Sequence, residues 1–75
     1  MIENLETPEI GSYWRHHNNG NVYKVLMIAN SASTRLEKYP VMVVYQGENG
    51  NIWARKVVDW FPAFVPVVNI SEKTS

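Results

Sequence analysis

The 75-residue chain has no cysteine, which excludes disulfides and thiolate metal sites as props for so small a fold. It has no excess charge of either sign: seven Lys and Arg balance seven Asp and Glu, so no bulk field draws a polyanion from a distance. Asp59 is its sole aspartate, and the glutamates are spread over the amino-terminal stretch, the loops and the tail, where a preorganised acid–base site is hard to build. No apolar run approaches the ~20 residues of a membrane-crossing helix. The start, Met1-Ile2-Glu3-Asn4, has neither a basic region nor an apolar stretch of the secretory kind, so the expected location is the cytoplasm. A phosphate-cradling glycine loop is also missing, because Gly47-Glu48-Asn49-Gly50 precedes no Lys-Ser or Lys-Thr pair.

What remains is a chain that must stabilise itself by apolar burial, with only roughly 60% of its unfolded surface available to bury. Nine aromatic residues supply the largest parcels of that surface. Five runs rich in branched and aromatic residues, each bounded by turn formers, predict an all-β domain. The first, 12–17, ends in Asn18-Asn19-Gly20-Asn21, which tolerates the positive φ of a tight hairpin. In the second, 22–29, alternation assigns Tyr23, Val25 and Met27 to the core face. The polar stretch 30–38 reads as a surface loop. The third run, 41–46, is apolar on both faces and is the expected central strand, and Asn49-Gly50 turns it antiparallel into the fourth, 52–56. A single helical or 3₁₀ turn is expected over 57–61, stopped by Pro62, before a last strand over 64–68 whose Pro66 places it at an edge or at a bulge. This order predicts a five-stranded SH3-like barrel over residues 11–70, preceded by a mobile arm at 1–10 and followed by a frayed tail at 71–75.

Two stretches carry a family likeness: Trp14-Arg15-His16-His17 running through Gly20 to Val22-Tyr23, and Val43-Val44-Tyr45-Gln46-Gly47-Glu48-Asn49-Gly50 running to Trp53-Ala54-Arg55. They resemble a small bacterial and phage family catalogued as a domain of unknown function, which has an aromatic-Arg-His start, a Val-Val-Tyr run and a Trp-x-Arg pair after a glycine turn. Lys56 stands where that family has proline, and Asn19 is one extra turn residue. The resemblance covers roughly residues 11–61; it implies a phage or prophage origin and carries no assigned activity.

The residues with chemistry to offer fall into two clusters. Trp53 and Arg55 are two apart on a strand and share a face, with Tyr45 and Gln46 supplied by the paired strand. An arginine among rings can stack on an aromatic plane or grip a carboxylate or phosphate through two parallel hydrogen bonds. A structural alternative has Trp53 filling the barrel mouth and Arg55 pairing with Asp59. Trp14, Arg15 and His16 form the second cluster, with Trp14 and His16 on one face and Arg15 on the other; Arg15 and Arg55 would make an anion site if they converged. His16 and His17, as strand neighbours, should point to opposite faces and fail to clasp a metal. Trp60, Phe61 and Phe64 read as packing residues.

The function expected from these residues is therefore noncatalytic, with no metal and no cofactor. It is a module that engages a host or phage protein through Trp14, Arg15, His16, Tyr45, Gln46, Trp53 and Arg55. An alternative is a nucleotide or single-stranded nucleic acid, with Trp53 or Tyr45 stacking on bases and Arg55 or Arg15 holding phosphate. An edge strand and surplus aromatics also invite a symmetric dimer.

Overall fold

Each of the five expected strands forms where branched and aromatic residues cluster. A computed structural model of the protein describes residues 6–67; the expectations for 1–5 and for 68–75, including the tail and the last residue of the fifth run, lie outside the described residues. The strands are β1 (Tyr13–His16), β2 (Val22–Ala29), β3 (Met42–Gly47), β4 (Ile52–Lys56) and β5 (Phe64–Pro66). They make one antiparallel sheet in the order β4-β3-β2-β1-β5. The fold is thus all-β, and the sheet is not closed: β4 and β5 are its two edges.

Both predicted hairpins form around an Asn-Gly-Asn triplet, and they use the same local chemistry. Gly20 and Gly50 take φ of 76° and 92°, where a Cβ would be strained. In each, the asparagine before the glycine accepts a hydrogen bond from the backbone N–H two residues on, Asn21 to Asn19 Oδ1 at 2.8 Å and Asn51 to Asn49 Oδ1 at 3.0 Å. In the stretch ahead of β1, Pro8 is buried and the Gly11 N–H donates to the Val25 carbonyl at 2.8 Å.

The core-face assignment in β2 holds only for half of the strand. Val25 is fully buried and Tyr23 packs on the core, but Met27 is 53% exposed and Ile28 takes the inward position instead. The cause is a bulge: Val25 lies opposite Tyr45 and Met27 opposite Val44, so Leu26 is an extra residue that reverses the facing of everything after it. β3 lies between β2 and β4 and buries Val43 and Tyr45, with Met42 and Val44 half-buried on the other face.

Pro62 does not stop the helical turn. A 3₁₀ turn, Val57–Asp59, runs into a short helix α1, Trp60–Ala63, with Pro62 inside it. The first four N–H groups of a helix have no partner within it, so a ring nitrogen in the first turn sacrifices nothing. The turn swings Trp60 onto the sheet, where it stacks on Phe64 at 3.9 Å between centroids. Trp14, Val25, Val41, Val43, Tyr45, Val57, Trp60 and Phe64 form the buried core. Phe61 is partly exposed and meets the Trp14 ring edge-on at 5.6 Å. β5 is an edge strand, as Pro66 requires.

Candidate binding site

The register of β3 and β4 sets the site. Tyr45 lies opposite Trp53 and Val43 opposite Arg55, so Tyr45, Trp53 and Arg55 share the core-side face of the sheet. Tyr45 is buried and forms a floor. Trp53, out on the edge strand, leaves 52% of its surface exposed. Arg55 reaches back over the core, its guanidinium carbon 5.4 Å from the Phe64 ring centroid. It makes no ion pair with Asp59; its Nε is buried with no hydrogen-bond partner among the described residues.

His16 arrives from the far side of the sheet. β1 and β4 are separated by two strands, and the sheet curls enough to bring His16 and Arg55 to the rim of one recess of about 260 Å³. Phe64 joins them: it lies opposite His16 in the β1–β5 ladder, with the imidazole edge-on to its ring at 4.9 Å. Tyr23 and Asn19 complete the wall, linked by a long hydrogen bond of 3.4 Å from Asn19 Nδ2 to the Tyr23 hydroxyl. A second hollow of about 210 Å³ opens on the other side of Tyr23 and Trp53, lined by Asn21, Gly47, Glu48 and Asn49. The Trp53 side chain thus borders a basic hollow on one side and an acidic one on the other.

Of the seven residues expected from sequence, His16, Tyr45, Trp53 and Arg55 are brought together, and three are not. Trp14 belongs to the core, where its Nε1 donates to Ser12 Oγ at 2.8 Å. Arg15 is on the opposite face, opposite Val22 and Val65, and its Nη1 donates to the Gly20 carbonyl at 3.0 Å. It therefore cannot converge with Arg55. Gln46 is also on the opposite face, its Nε2 donating to the Gly50 carbonyl at 3.0 Å. Sequence reasoning missed Tyr23, Asn19 and Phe64 as wall residues. Tyr23 carried a signal, since it was already assigned to the core side of β2, whereas Phe64 depends on a ladder between strands nearly fifty residues apart.

The histidine pair also differs from expectation. β1 ends at His16, so strand alternation does not govern His17, and the two rings lie roughly parallel with centroids 6.1 Å apart. His17 Nε2 donates to the Pro62 carbonyl at 3.0 Å, tying the first hairpin to α1. No group of three metal-ligating side chains occurs among the described residues.

His16 is held below its ordinary pKa, first by partial burial and then by the positive charges of Arg55 and His17. Its Nδ1 accepts the Asn18 N–H at 3.2 Å, so in the neutral ring the proton sits on Nε2. Because the folded ring binds a proton less readily than the unfolded one, the unfolded state takes up more protons as pH falls through the ordinary histidine range. Stability is full above about pH 6.5 and declines below it. Thermal melts between pH 7.5 and 5 should show that decline, and His16→Gln should flatten it. An unchanged slope in the variant would assign the acid sensitivity to other groups.

No family model, curated protein or solved structure matches the chain.

Proposed function

We propose that this chain is a noncatalytic binding module, built as an SH3-like barrel, that engages a protein partner through the recess between His16, Tyr45, Trp53 and Arg55. The observation that carries this reading is Arg55: a buried Nε without an acceptor among the described residues, on the same strand face as a tryptophan that is half exposed. A buried N–H left unpaired is destabilising by about 1–3 kcal/mol, so a group that supplies an acceptor there regains that free energy on binding. Trp53 offers the flat apolar surface beside it, and tryptophan with arginine is the pairing that dominates interface energetics. The SH3-like reading is supported by the strand order, by the helical turn before β5 and by the bulge in β2 at which the sheet can bend.

A nucleotide or single strand of nucleic acid has less support. Its phosphate contact was expected from Arg55 or Arg15, and because the two arginines are on opposite faces only Arg55 can serve a ligand stacked on Trp53. Trp53 can still stack on a base, so salt dependence separates the readings: a polyanion contact weakens steeply as salt rises, a mainly apolar protein contact does not.

Affinity capture from the native host, with wild-type, Trp53→Ala and Arg55→Lys baits, tests the proposal. Arg55→Lys keeps the charge and the stem over Phe64 but removes the Nε donor. Both variants should keep the wild-type circular dichroism spectrum and bind the captured partner about thirtyfold more weakly. A partner retained at full strength by both would place the interface elsewhere.

A further inference from the structure

The two edges of the sheet are not equivalent. Along β5, the His17 N–H donates to Ala63 and the Val67 N–H to Tyr13, so residues 63, 65 and 67 point their backbone groups toward β1. The outward positions are Phe64 and Pro66. Phe64 spends its N–H on the Trp60 carbonyl at the end of α1, and Pro66 has none. The β5 edge therefore presents no free backbone donor.

Along β4 the opposite holds. The Gly47 N–H donates to Asn51 and the Val57 N–H to Val41, which fixes the parity of the ladder: Trp53 and Arg55 bond inward to β3. Ile52, Ala54 and Lys56 then turn their N–H and C=O groups outward, and all three residues are exposed. No proline or bulge interrupts this edge, and its inward-facing charge, Arg55, is drawn over the Phe64 ring and bonds its backbone to β3, away from the free edge.

We propose that a second copy of this chain adds to the β4 edge, antiparallel and about a two-fold axis through Ala54, so that the two sheets become one. This pairing places Ile52 opposite Lys56 of the partner subunit and Ala54 opposite Ala54 of the partner subunit. All of these are outward-bonding positions on both strands, and every free N–H and C=O of the edge is satisfied. On the face that carries the recess, Trp53 meets Arg55 of the partner subunit. Other two-fold registers are worse: an axis through Arg55 or Lys56 sets that residue against its own copy, and like charges directly opposite destabilise a ladder, while an axis through Trp53 pairs only residues 52–54 and leaves the outward groups of Lys56 without a β4 partner. The chain's formal net charge of zero adds no long-range repulsion between copies. The two recesses then flank the dimer axis on one surface. Because the outer edges of the joined sheet are both β5, which has no free donor, association closes at two copies rather than running on as a filament.

The inference rests on the hydrogen-bond parity of β4 and on the charges along it, and requires no occupant in the recess. Sedimentation of the full chain from about 1 μM to 1 mM should show a monomer–dimer equilibrium and no larger species. Ala54→Lys, which sets two lysines face to face at the axis, should weaken dimerisation about tenfold or more while leaving the melting profile of dilute protein unchanged. Since the chain has no cysteine, Ala54→Cys gives a register-specific readout. Residues facing each other at a hydrogen-bonded position are about 5.5 Å apart at Cα, within disulfide reach, so this variant should oxidise to a covalent dimer and Ile52→Cys should not. A chain that stays monomeric across the range overturns the proposal. A dimer indifferent to Ala54→Lys overturns it too, as does equal crosslinking at both positions.

Discussion

Val43→Asp is expected to leave the chain unfolded. Val43 has no exposed surface and lies in β3, between β2 and β4, where both flanking ladders close off water. The cation nearest to it is Arg55, directly opposite in the β3–β4 ladder, and burying a carboxylate beside that guanidinium desolvates the new charge at a cost of several kcal/mol, which a small domain has little stability to spare. At roughly 0.05–0.15 kcal/mol per residue, a chain of this length has about 4–11 kcal/mol of stability in all. Circular dichroism and proton NMR should show loss of the β signal and collapse of amide dispersion. The adjacent substitution Val44→Asp is the control. Val44 is half-buried on the opposite face, so a carboxylate there can reach water and the variant should stay folded, losing about 1 kcal/mol. Two neighbours of identical type thus read out the facing of β3. A folded Val43→Asp with an unfolded Val44→Asp would mean that the strand is shifted by one residue.

The same alternation explains how much of the molecule was legible in sequence. The hairpins were readable because their chemistry is local: Asn19-Gly20-Asn21 and Asn49-Gly50-Asn51 specify positive φ and a side-chain acceptor within three residues. The edge position of β5 was readable because Pro66 cannot donate. Met27 was misassigned because a bulge depends on what the partner strand offers at Tyr45 and Val44, which no pattern along β2 records. Pro62 was misread for a related reason: proline ends a helix only where a fourth-back carbonyl exists, and α1 is too short to have one at that position.

The site divides along the same line. Trp53, Arg55 and Tyr45 were grouped correctly because one hairpin of known register holds all three. Arg15 and Gln46 fell away because the period of two sends them to the other face, and alternation alone had already separated Arg15 from Trp14 and His16. That His16 reaches the rim with Arg55 was not legible, since it requires the curl of the whole sheet around Phe64.

Phe64→Ala is expected to destabilise the domain by about 3–5 kcal/mol, the range for deleting a buried aromatic side chain, and so to shift the melting point by roughly 12 °C or more. Phe64 is almost fully buried and contacts rings on three sides, stacking on Trp60 and meeting Tyr45 and Tyr23 edge-on at 5.4 and 5.6 Å. It is a cleaner probe of the core than Trp60, whose Nε1 is buried without an acceptor among the described residues, so that removing Trp60 also removes an unsatisfied donor. The substitution should act on the site as well. Arg55 lies over the Phe64 ring and His16 abuts its edge, so the ring that positions both side chains is the same one that anchors α1 to the sheet. Phe64→Leu separates the two roles: it retains most of the apolar volume and should lose less than about 1.5 kcal/mol, yet it offers Arg55 no aromatic face. Denaturant midpoints should therefore fall far for Phe64→Ala and little for Phe64→Leu, while the pKa of His16 followed by NMR should rise in both, because each loosens the burial of the imidazole and frees the guanidinium, the two largest causes that lower it. A His16 titration identical to wild type in Phe64→Leu would show that neither the burial of the imidazole nor the placement of Arg55 depends on this ring.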